Sequence, residues 1–208
     1  MATTEAVKAK TLLGECSAEL AGTFILILFG CGVVAQVVAA GIGDHDSIAW
    51  AWGLGVTLGI YTAGRMTGAH LNPAVTIALA AFRGFSWKKV LPYSVAQFLG
   101  AFAAALVVPW NYTQALNNVD PRLTIKSHAV FSTLPGNGSL DLGVGMWGGF
   151  RDQIIGTAIL MFLILAIVDL RNTSPAANLA PFIVGLVVVG IGMAWGTNAG
   201  YAINPARD

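Results

Sequence analysis

The sequence predicts an all-α polytopic membrane protein built as an inverted repeat, and three observations predict this fold class. Only 10% of the 208 residues are charged and 56% are hydrophobic, whereas soluble domains carry about 25% charged residues. Five apolar stretches are long enough to cross a bilayer, which takes about 20 residues per helix. The tripeptide Asn-Pro-Ala occurs twice, at Asn72 and at Asn204. Lipid is therefore the expected solvent.

The five predicted spans follow one another along the chain. They cover residues 12–40, 47–65, 90–110, 153–170 and 177–195. An additional apolar segment of ten residues, Pro73–Phe82, follows Asn72. A helix of this length reaches roughly 15 Å at 1.5 Å per residue, about half a bilayer. It is predicted to be a re-entrant half-helix.

The distribution of lysine and arginine predicts the orientation. With the N-terminus inside, three basic residues face outward and seven face the cytoplasm: Arg122, Lys126 and Arg151 outside; Lys8, Lys10, Arg65, Arg83, Lys88, Lys89 and Arg171 inside. Short cytoplasmic loops carry the excess of such residues. The N-terminal segment also lacks the short apolar core of a cleavable signal. We therefore expect a multi-pass protein of the cell membrane, with a bacterial inner membrane favoured and the N-terminus in the cytoplasm.

Internal repetition predicts two related units. The stretch "ELAGTFILI" at Glu19 resembles "QIIGTAILM" at Gln153, 134 positions later, and the Asn-Pro-Ala motifs are 132 positions apart. The first repeat is assigned to residues 1–110 and the second to residues 148–208, joined by a polar extracellular connection, 111–147. Three spans per unit is an odd number, so the second unit enters the membrane from the opposite side. The second unit lacks its third span here, so we expect a fragment or a truncated chain.

The Asn-Pro-Ala motif combines a helix cap with a break in the backbone. Asparagine caps a helix and proline is favoured in its first turn, so each motif begins a half-helix. The backbone before each asparagine is non-helical, and such backbone is tolerated at membrane depth only where it lines a polar cavity. The amides of Asn72 and Asn204 are predicted as donors at the pore centre. The predicted pore-lining backbone comprises Gly68, Ala69, His70, Leu71, Gly200, Ala202 and Ile203. Acceptors on one wall and apolar groups on the other suit a solute with hydroxyls along one edge.

On "GAHLNPAVT", residues 68–76, and "NPARD", residues 204–208, the chain resembles the major intrinsic protein family of aquaporins and glycerol facilitators. The resemblance covers almost the whole chain. It implies the aquaporin-like inverted repeat of six spans plus two re-entrant half-helices, of which five spans are present here. It also implies a homotetramer with one pore per subunit. Asp208, directly after Arg207, resembles the glycerol-conducting branch of the family.

The resemblance further implies a selectivity filter. Trp52 and Tyr201 correspond to its aromatic walls, and Gly192 to the small position that leaves room for a carbon chain. Arg207 corresponds to the cation that binds two hydroxyls and repels cations and hydronium. A bacterial glycerol facilitator of this family has phenylalanine at the position of Tyr201, so the tyrosine departs from that pattern. The alternatives are interfacial belt aromatics for Trp52 and Tyr201 and a helix-packing glycine for Gly192.

Three polar residues are expected to support the loops. The family generally has glutamate at both positions occupied here by Glu19 and Gln153, hydrogen-bonding the re-entrant segments. Gln153 departs from this pattern, but an amide oxygen also accepts from backbone N–H groups. Asp208 is placed in the same supporting group. His70 is expected to be a loop residue that exposes its carbonyl.

These patterns predict a passive channel for glycerol and other small uncharged polyols, with some water, that excludes ions and protons. A water-selective aquaporin and an ion-coupled transporter with broken helices are the alternatives, although only Glu19 and Arg207 are candidate coupling charges. No enzyme activity, cofactor or metal site is expected, because the three histidines are scattered over different segments. The net charge of +1 gives no indication of a nucleic-acid partner.

Overall fold

The computed structural model describes residues 10–122, 124–138 and 143–208, and within them the chain forms α-helices and turns without a β-strand. Lys8, which the orientation argument used, lies outside the described residues, as do 123 and 139–142 of the connection. The helices are α1 (Leu12–Ala40), α2 (His45–Thr67), α3 (Pro73–Phe82), α4 (Trp87–Asn111), α5 (Thr113–Val119), α6 (Ile125–His128), α7 (Met146–Ile167) and α8 (Ala180–Ala199).

The five predicted spans are confirmed as helices. Most of the observed helix ends differ from the predicted ones by several residues. The predicted half-helix is confirmed with the bounds of α3. Helix α7 begins seven residues before Gln153 and thereby includes polar residues near its start. Helix α8 begins at Ala180, because Pro181 favours a first helical turn, and it ends at Gly200, whose φ of 68° is left-handed.

The connection between the repeats is more ordered than predicted. It contains α5, α6 and a 3₁₀ turn at Pro135–Gly138, and it ends before Met146 instead of at residue 147. The Asp120 carboxylate accepts hydrogen bonds from the backbone N–H of Thr124 at 2.6 Å and of Ser127 at 3.0 Å. These bonds start α6. Leu116 and Val130 are buried, and both α5 and α6 contact α1.

Acid is expected to loosen this segment. Burial raises the pKa of Asp120, but hydrogen bonds from Ser127 and Thr124 outweigh it and hold the pKa below its usual range. A lowered folded-state pKa contributes stability above the unfolded pKa, about 3.9, and that stability is lost as pH falls through the folded value. The protection of the amides of residues 124–130, measured as their exchange rate relative to that of an unfolded peptide at the same pH, should therefore be unchanged from pH 7 to 5 and lower near pH 3. In the Asp120→Asn variant, this protection should be low at every pH.

Helices α1, α2, α4 and α8 form the centre of the structure, because α2 packs on both α1 and α8, and α4 packs on α1. Glycines bring these backbones together. A Cβ placed on Gly100 of α4 would lie 2.2 Å from the Leu20 carbonyl oxygen of α1, and one on Gly53 of α2 would lie 2.6 Å from that of Gly185. Small residues permit this approach between membrane helices.

Gly185→Ala is expected to destabilise the protein by about 1–3 kcal/mol, the usual cost of overpacking a filled core. The added Cβ would lie 2.0 Å from Thr57 Oγ1 and 2.5 Å from the Gly53 carbonyl oxygen. Gly190→Ala on the same helix is the matched control, because its Cβ would meet nothing within 4 Å. Thermal unfolding in detergent compares the two variants. Equal midpoints would contradict the assigned α2–α8 packing.

The outside of the structure is strongly apolar. Large side chains such as Leu13, Phe82 and Trp110 are each more than three-quarters exposed, which a water-facing surface rarely shows. Four helices, α1, α4, α7 and α8, are long and apolar enough to cross a membrane by length and composition. Helix α2 has 23 residues, roughly 35 Å at 1.5 Å per residue.

Candidate functional site

The two segments that precede the Asn-Pro-Ala motifs have matching backbones. Gly68, Ala69 and Leu71 have φ values of 84°, 55° and 54°. Their counterparts 132 positions later, Gly200, Tyr201 and Ile203, have φ values of 68°, 41° and 42°. Left-handed backbone at a residue other than glycine costs of order 1 kcal/mol or more and persists where the surroundings impose it. We designate residues 68–72 the first loop and residues 200–204 the second loop.

The two loops bind each other through their asparagines. Asn72 Nδ2 donates to the Ile203 carbonyl at 2.7 Å, and Asn204 Nδ2 donates to the Leu71 carbonyl at 2.9 Å. The Oδ1 atoms accept from the backbone N–H two residues later, at 2.8 Å for Asn72 and 3.0 Å for Asn204. An asparagine amide carries two N–H groups, so each one retains an N–H beyond this mutual pair of bonds.

Three of the predicted lining residues are placed differently from expectation. Leu71 and Ile203 line the cavity, but their carbonyls accept the asparagine amides and are not the unpaired acceptors that the sequence predicted. The cross-loop pairing takes them because the two motifs meet at this point. Gly200 ends α8, with its N–H donating to the Gly196 carbonyl, and is not among the described residues that line the cavity. Gly68, Ala69, His70 and Ala202 line the cavity as expected.

Glu19 anchors the first loop from α1. Its carboxylate accepts from the backbone N–H of His70 at 2.9 Å and of Leu71 at 2.7 Å. Gln97 on α4 donates to the same carboxylate at 2.8 Å and to the Thr76 hydroxyl at 3.1 Å. Both Glu19 and Gln97 are fully buried. Two backbone N–H groups of the loop thus end on one buried side chain of α1, which holds the loop in place.

Gln153 anchors the second loop with fewer bonds. Its Oε1 accepts from the Ile203 N–H at 2.9 Å, and its Nε2 donates to the Ala199 carbonyl at 3.1 Å. It therefore joins the end of α8 to the second loop. The amide binds one backbone N–H of the loop where Glu19 binds two in the first. The two repeats are therefore held with unequal strength.

A further polar cluster lies beside the first loop. Lys89 of α4 and Glu15 of α1 form an ion pair of 2.7 Å, and the Tyr93 hydroxyl donates to the same carboxylate at 3.0 Å. The Tyr93 ring contacts the His70 ring at 5.2 Å, and the latter also meets Phe85 at 4.6 Å. The His70 ring is thus held between the Phe85 and Tyr93 rings.

The loops face a cavity of about 680 Å³. Apolar side chains of α2, α7 and α8 make much of its wall, including Val56, Leu160 and Val188. Arg65 and Arg207 also line it, and the described lining residues include no carboxylate. The cavity therefore combines a polar loop wall, an apolar helix wall and positive charge.

Trp52, Tyr201 and Arg207 come together in the wall of this cavity. The guanidinium carbon of Arg207 lies 4.9 Å from the Trp52 ring centroid, a distance at which a cation is attracted to an aromatic face. Arg207 is buried, and its Nη1 donates to Asp208 Oδ1 at 2.9 Å and to the Phe131 carbonyl at 3.5 Å. Asp208 Oδ1 also accepts from the Thr133 N–H at 2.5 Å. Asp208 therefore joins Arg207 to the segment between the repeats.

Gly192 packs against the Tyr201 ring. It is not among the described residues that line the cavity. A Cβ on Gly192 would lie 2.8 Å from Cζ of Tyr201 and 3.0 Å from Cβ of Ala49. The missing side chain makes room for the Tyr201 ring.

Several residues of the site were missed by sequence reasoning. Gln97, Tyr93 and Glu15 carry the bonds described above, and a polar side chain within an apolar span was the available signal. His45 was dismissed with the scattered histidines. Among the described residues, no group of three or more His, Cys, Asp or Glu side chains is arranged to hold a metal ion.

The family model described as "Major intrinsic protein" matches residues 6–208. The chain belongs to the major intrinsic protein family. It is 41% identical to the "Glycerol uptake facilitator protein" of Haemophilus influenzae, over 96% of this chain and 77% of that protein. It is 44% identical to "Aquaporin-10" of Milnesium tardigradum, over 95% of this chain but 49% of that protein. The chain thus spans about half the length of this relative.

The structural comparison confirms the aquaporin-like fold class. The X-ray structure of the aquaglyceroporin from Plasmodium falciparum superposes with a TM-score of 0.85 at 32% identity, over 95% of this chain and 78% of that one. This major intrinsic protein is accordingly an all-helical membrane protein, and its Asn-Pro-Ala loops lie where the two repeats meet.

Proposed function

We propose that this protein is a passive transmembrane channel for glycerol and other small uncharged polyols, with some water. The observation that carries the proposal is the two-sided cavity, in which loop carbonyls and asparagine amides face apolar side chains such as Val56 and Val188. A polyol extended along it presents hydroxyls to one wall and carbon to the other. The names of relatives, which are glycerol facilitators and aquaglyceroporins, support the same solute class.

Trp52, Tyr201 and Arg207 form the proposed selectivity filter, with Gly192 behind the tyrosine ring. Arg207 donates to two hydroxyls of the solute, while the two aromatic rings limit the width available to its carbon chain. Asn72 and Asn204 are the proposed donors at the centre, each through the N–H that remains after the cross-loop bond. Glu19, Gln153 and Asp208 support these groups.

Ions and protons are excluded in this proposal by the same groups. The buried guanidinium repels cations and hydronium. A solute oxygen that accepts from both asparagines orients its own hydrogens outward in both directions, which interrupts a proton wire. Transport then needs no chemical step, cofactor or coupling ion.

The remaining parts of the proposal concern the assembly. The protein acts as a homotetramer in the cell membrane, with the N-terminus in the cytoplasm. The two units are residues 1–110 and 148–208. The excess of lysine and arginine in the inner loops supports this orientation.

Stopped-flow light scattering on proteoliposomes tests the function. Vesicles containing the full-length protein are mixed with hyperosmotic glycerol and, separately, with sucrose, and protein-free vesicles are the control. The expected result is fast shrinkage followed by re-swelling in glycerol and shrinkage alone in sucrose. Fast shrinkage with re-swelling no faster than in empty vesicles would identify a water-selective channel. A requirement for a sodium or proton gradient would identify a coupled transporter.

A further inference from the structure

We propose that His45 is a positioning residue for the filter, holding the Tyr201 ring in place through α8. The inference rests on the proposed function. His45 is the first residue of α2, far from the Asn-Pro-Ala motifs in sequence, and it does not line the described part of the cavity. Its imidazole ring lies against the Tyr201 ring, one of the two aromatic rings of the proposed filter.

The start of α2 fixes the His45 backbone. Asp44 caps this helix, because its Oδ1 accepts from the Ser47 N–H at 2.9 Å and from the Ser47 hydroxyl at 2.8 Å. The Ser47 hydroxyl oxygen accepts in turn from the Asp44 N–H at 3.3 Å. This reciprocal capping box immobilises the first turn. His45 therefore extends toward α8 from a rigid helix end.

His45 is bound to α8 by one hydrogen bond and by close packing. Its Nε2 lies 2.8 Å from the Gly192 carbonyl oxygen, and since a carbonyl only accepts, Nε2 carries the proton and donates. A Cβ placed on Gly196 would lie 2.5 Å from Cε1 of the imidazole. The imidazole thus occupies a notch that exists because α8 has a glycine at this position.

Tyr201 occupies the same notch from the other side. Its Cζ would lie 2.8 Å from a Cβ on Gly192, and its Cδ1 would lie 3.1 Å from one on Gly196. The His45 and Tyr201 rings meet edge to face, with centroids 6.3 Å apart and planes at 84°. The imidazole therefore closes the space into which the phenol ring would otherwise move.

The Tyr201 ring is held by packing, because its hydroxyl makes no hydrogen bond to the described residues that could fix its position. The Tyr201 Oη is buried and has no hydrogen-bond partner among the described residues. The backbone of Tyr201 is left-handed, at φ 41°. A ring without a polar tether is positioned by its neighbours, and His45 is the neighbour that is itself tethered. Its loss is expected to widen the filter.

The experiment measures a permeability ratio, which a change in the number of folded channels does not alter. Proteoliposomes with the full-length protein are tested with glycerol and with the five-carbon polyol ribitol. In His45→Ala, the ribitol-to-glycerol ratio is expected to rise about tenfold, the order of discrimination that methylene-sized space gives in a fitted site. His45→Gln keeps a donor for Gly192 without the ring and should give a smaller rise. Asp46→Ala, at the exposed next position, is the control and should leave the ratio unchanged.

A double-mutant cycle tests whether His45 acts through Tyr201. Residues that act through one contact give non-additive effects, so His45→Ala should change the ratio little in a Tyr201→Ala background. An unchanged ratio in both His45 variants, or the same tenfold change in the Tyr201→Ala background, would overturn the inference while the channel remains. Absence of glycerol uptake by the unaltered protein would overturn the proposed function and the inference with it.

Discussion

Glu19→Ala is expected to lower the free energy of unfolding by about 3–5 kcal/mol and to abolish transport. The carboxylate is fully buried and accepts from two backbone N–H groups of the first loop and from Gln97. Its removal leaves the two loop N–H groups without an acceptor, each at a cost of about 1–3 kcal/mol, and takes from Gln97 one of its two acceptors, the other being the Thr76 hydroxyl. This loop also has left-handed Ala69 and Leu71, whose conformation depends on the anchor.

Thermal unfolding in detergent, followed by circular dichroism, measures the effect. Glu19→Gln is the near-isosteric control: it keeps one accepting oxygen and should lose about half as much stability. Gln153→Ala is the matched change in the other repeat. It removes one bond to the second loop and one to Ala199, so its midpoint should fall less than that of Glu19→Ala. Equal losses in the two repeats would contradict the unequal anchoring.

Arg207→Ala is expected to produce a cation leak. Two unit charges about 4 Å apart repel by about 4 kcal/mol at an effective dielectric constant of 20, so removing the buried guanidinium raises cation entry by up to about 10³-fold. A fluorescent pH indicator and a potassium gradient in proteoliposomes report the leak. The glycerol permeability should change as well, because the two donors to the solute are lost.

Arg207→Lys separates charge from shape. It retains the positive charge, so the leak should stay close to that of the unaltered protein. Lysine lacks the planar fork of donors, so glycerol permeability should fall. A large leak in the lysine variant, or a tight membrane in the alanine variant, would show that Arg207 is not the barrier.

The helices and the central loops could be predicted from the sequence because their signals are local. A run of apolar residues defines a span, and Asn72 followed by Pro73 fixes the start of α3 within the motif. The buried partners Glu19 and Gln153 could be located because a polar group in an apolar helix is costly unless it is bound. The first two inferences use residues within a few positions of one another, and the pairing of Glu19 with Gln153 adds the repeat offset of 134 positions.

Features that depend on distant segments were not predictable in the same way. The notch on α8 holds both His45 and Tyr201, and nothing near His45 in sequence points to a glycine 147 positions later. The close contact of Gly192 with the Tyr201 ring depends on distant segments in the same way. Helix α6 was not distinguished within the polar connection, because its start depends on the Asp120 carboxylate and apolar periodicity does not register such a side-chain effect.

The hydrogen bonds from the Asn72 amide to the Ile203 carbonyl and from the Asn204 amide to the Leu71 carbonyl have a consequence for biosynthesis. When the ribosome has produced only the first repeat, the Asn72 amide has no Ile203 carbonyl to bind, and Leu71 has no donor. Glu19 can already hold the first loop near its final shape. The hydrogen bonds between the two loops, however, cannot form until about 130 further residues have been added. Closure of the cavity centre therefore waits for the second loop. Co-expressed halves should transport solute only when they associate.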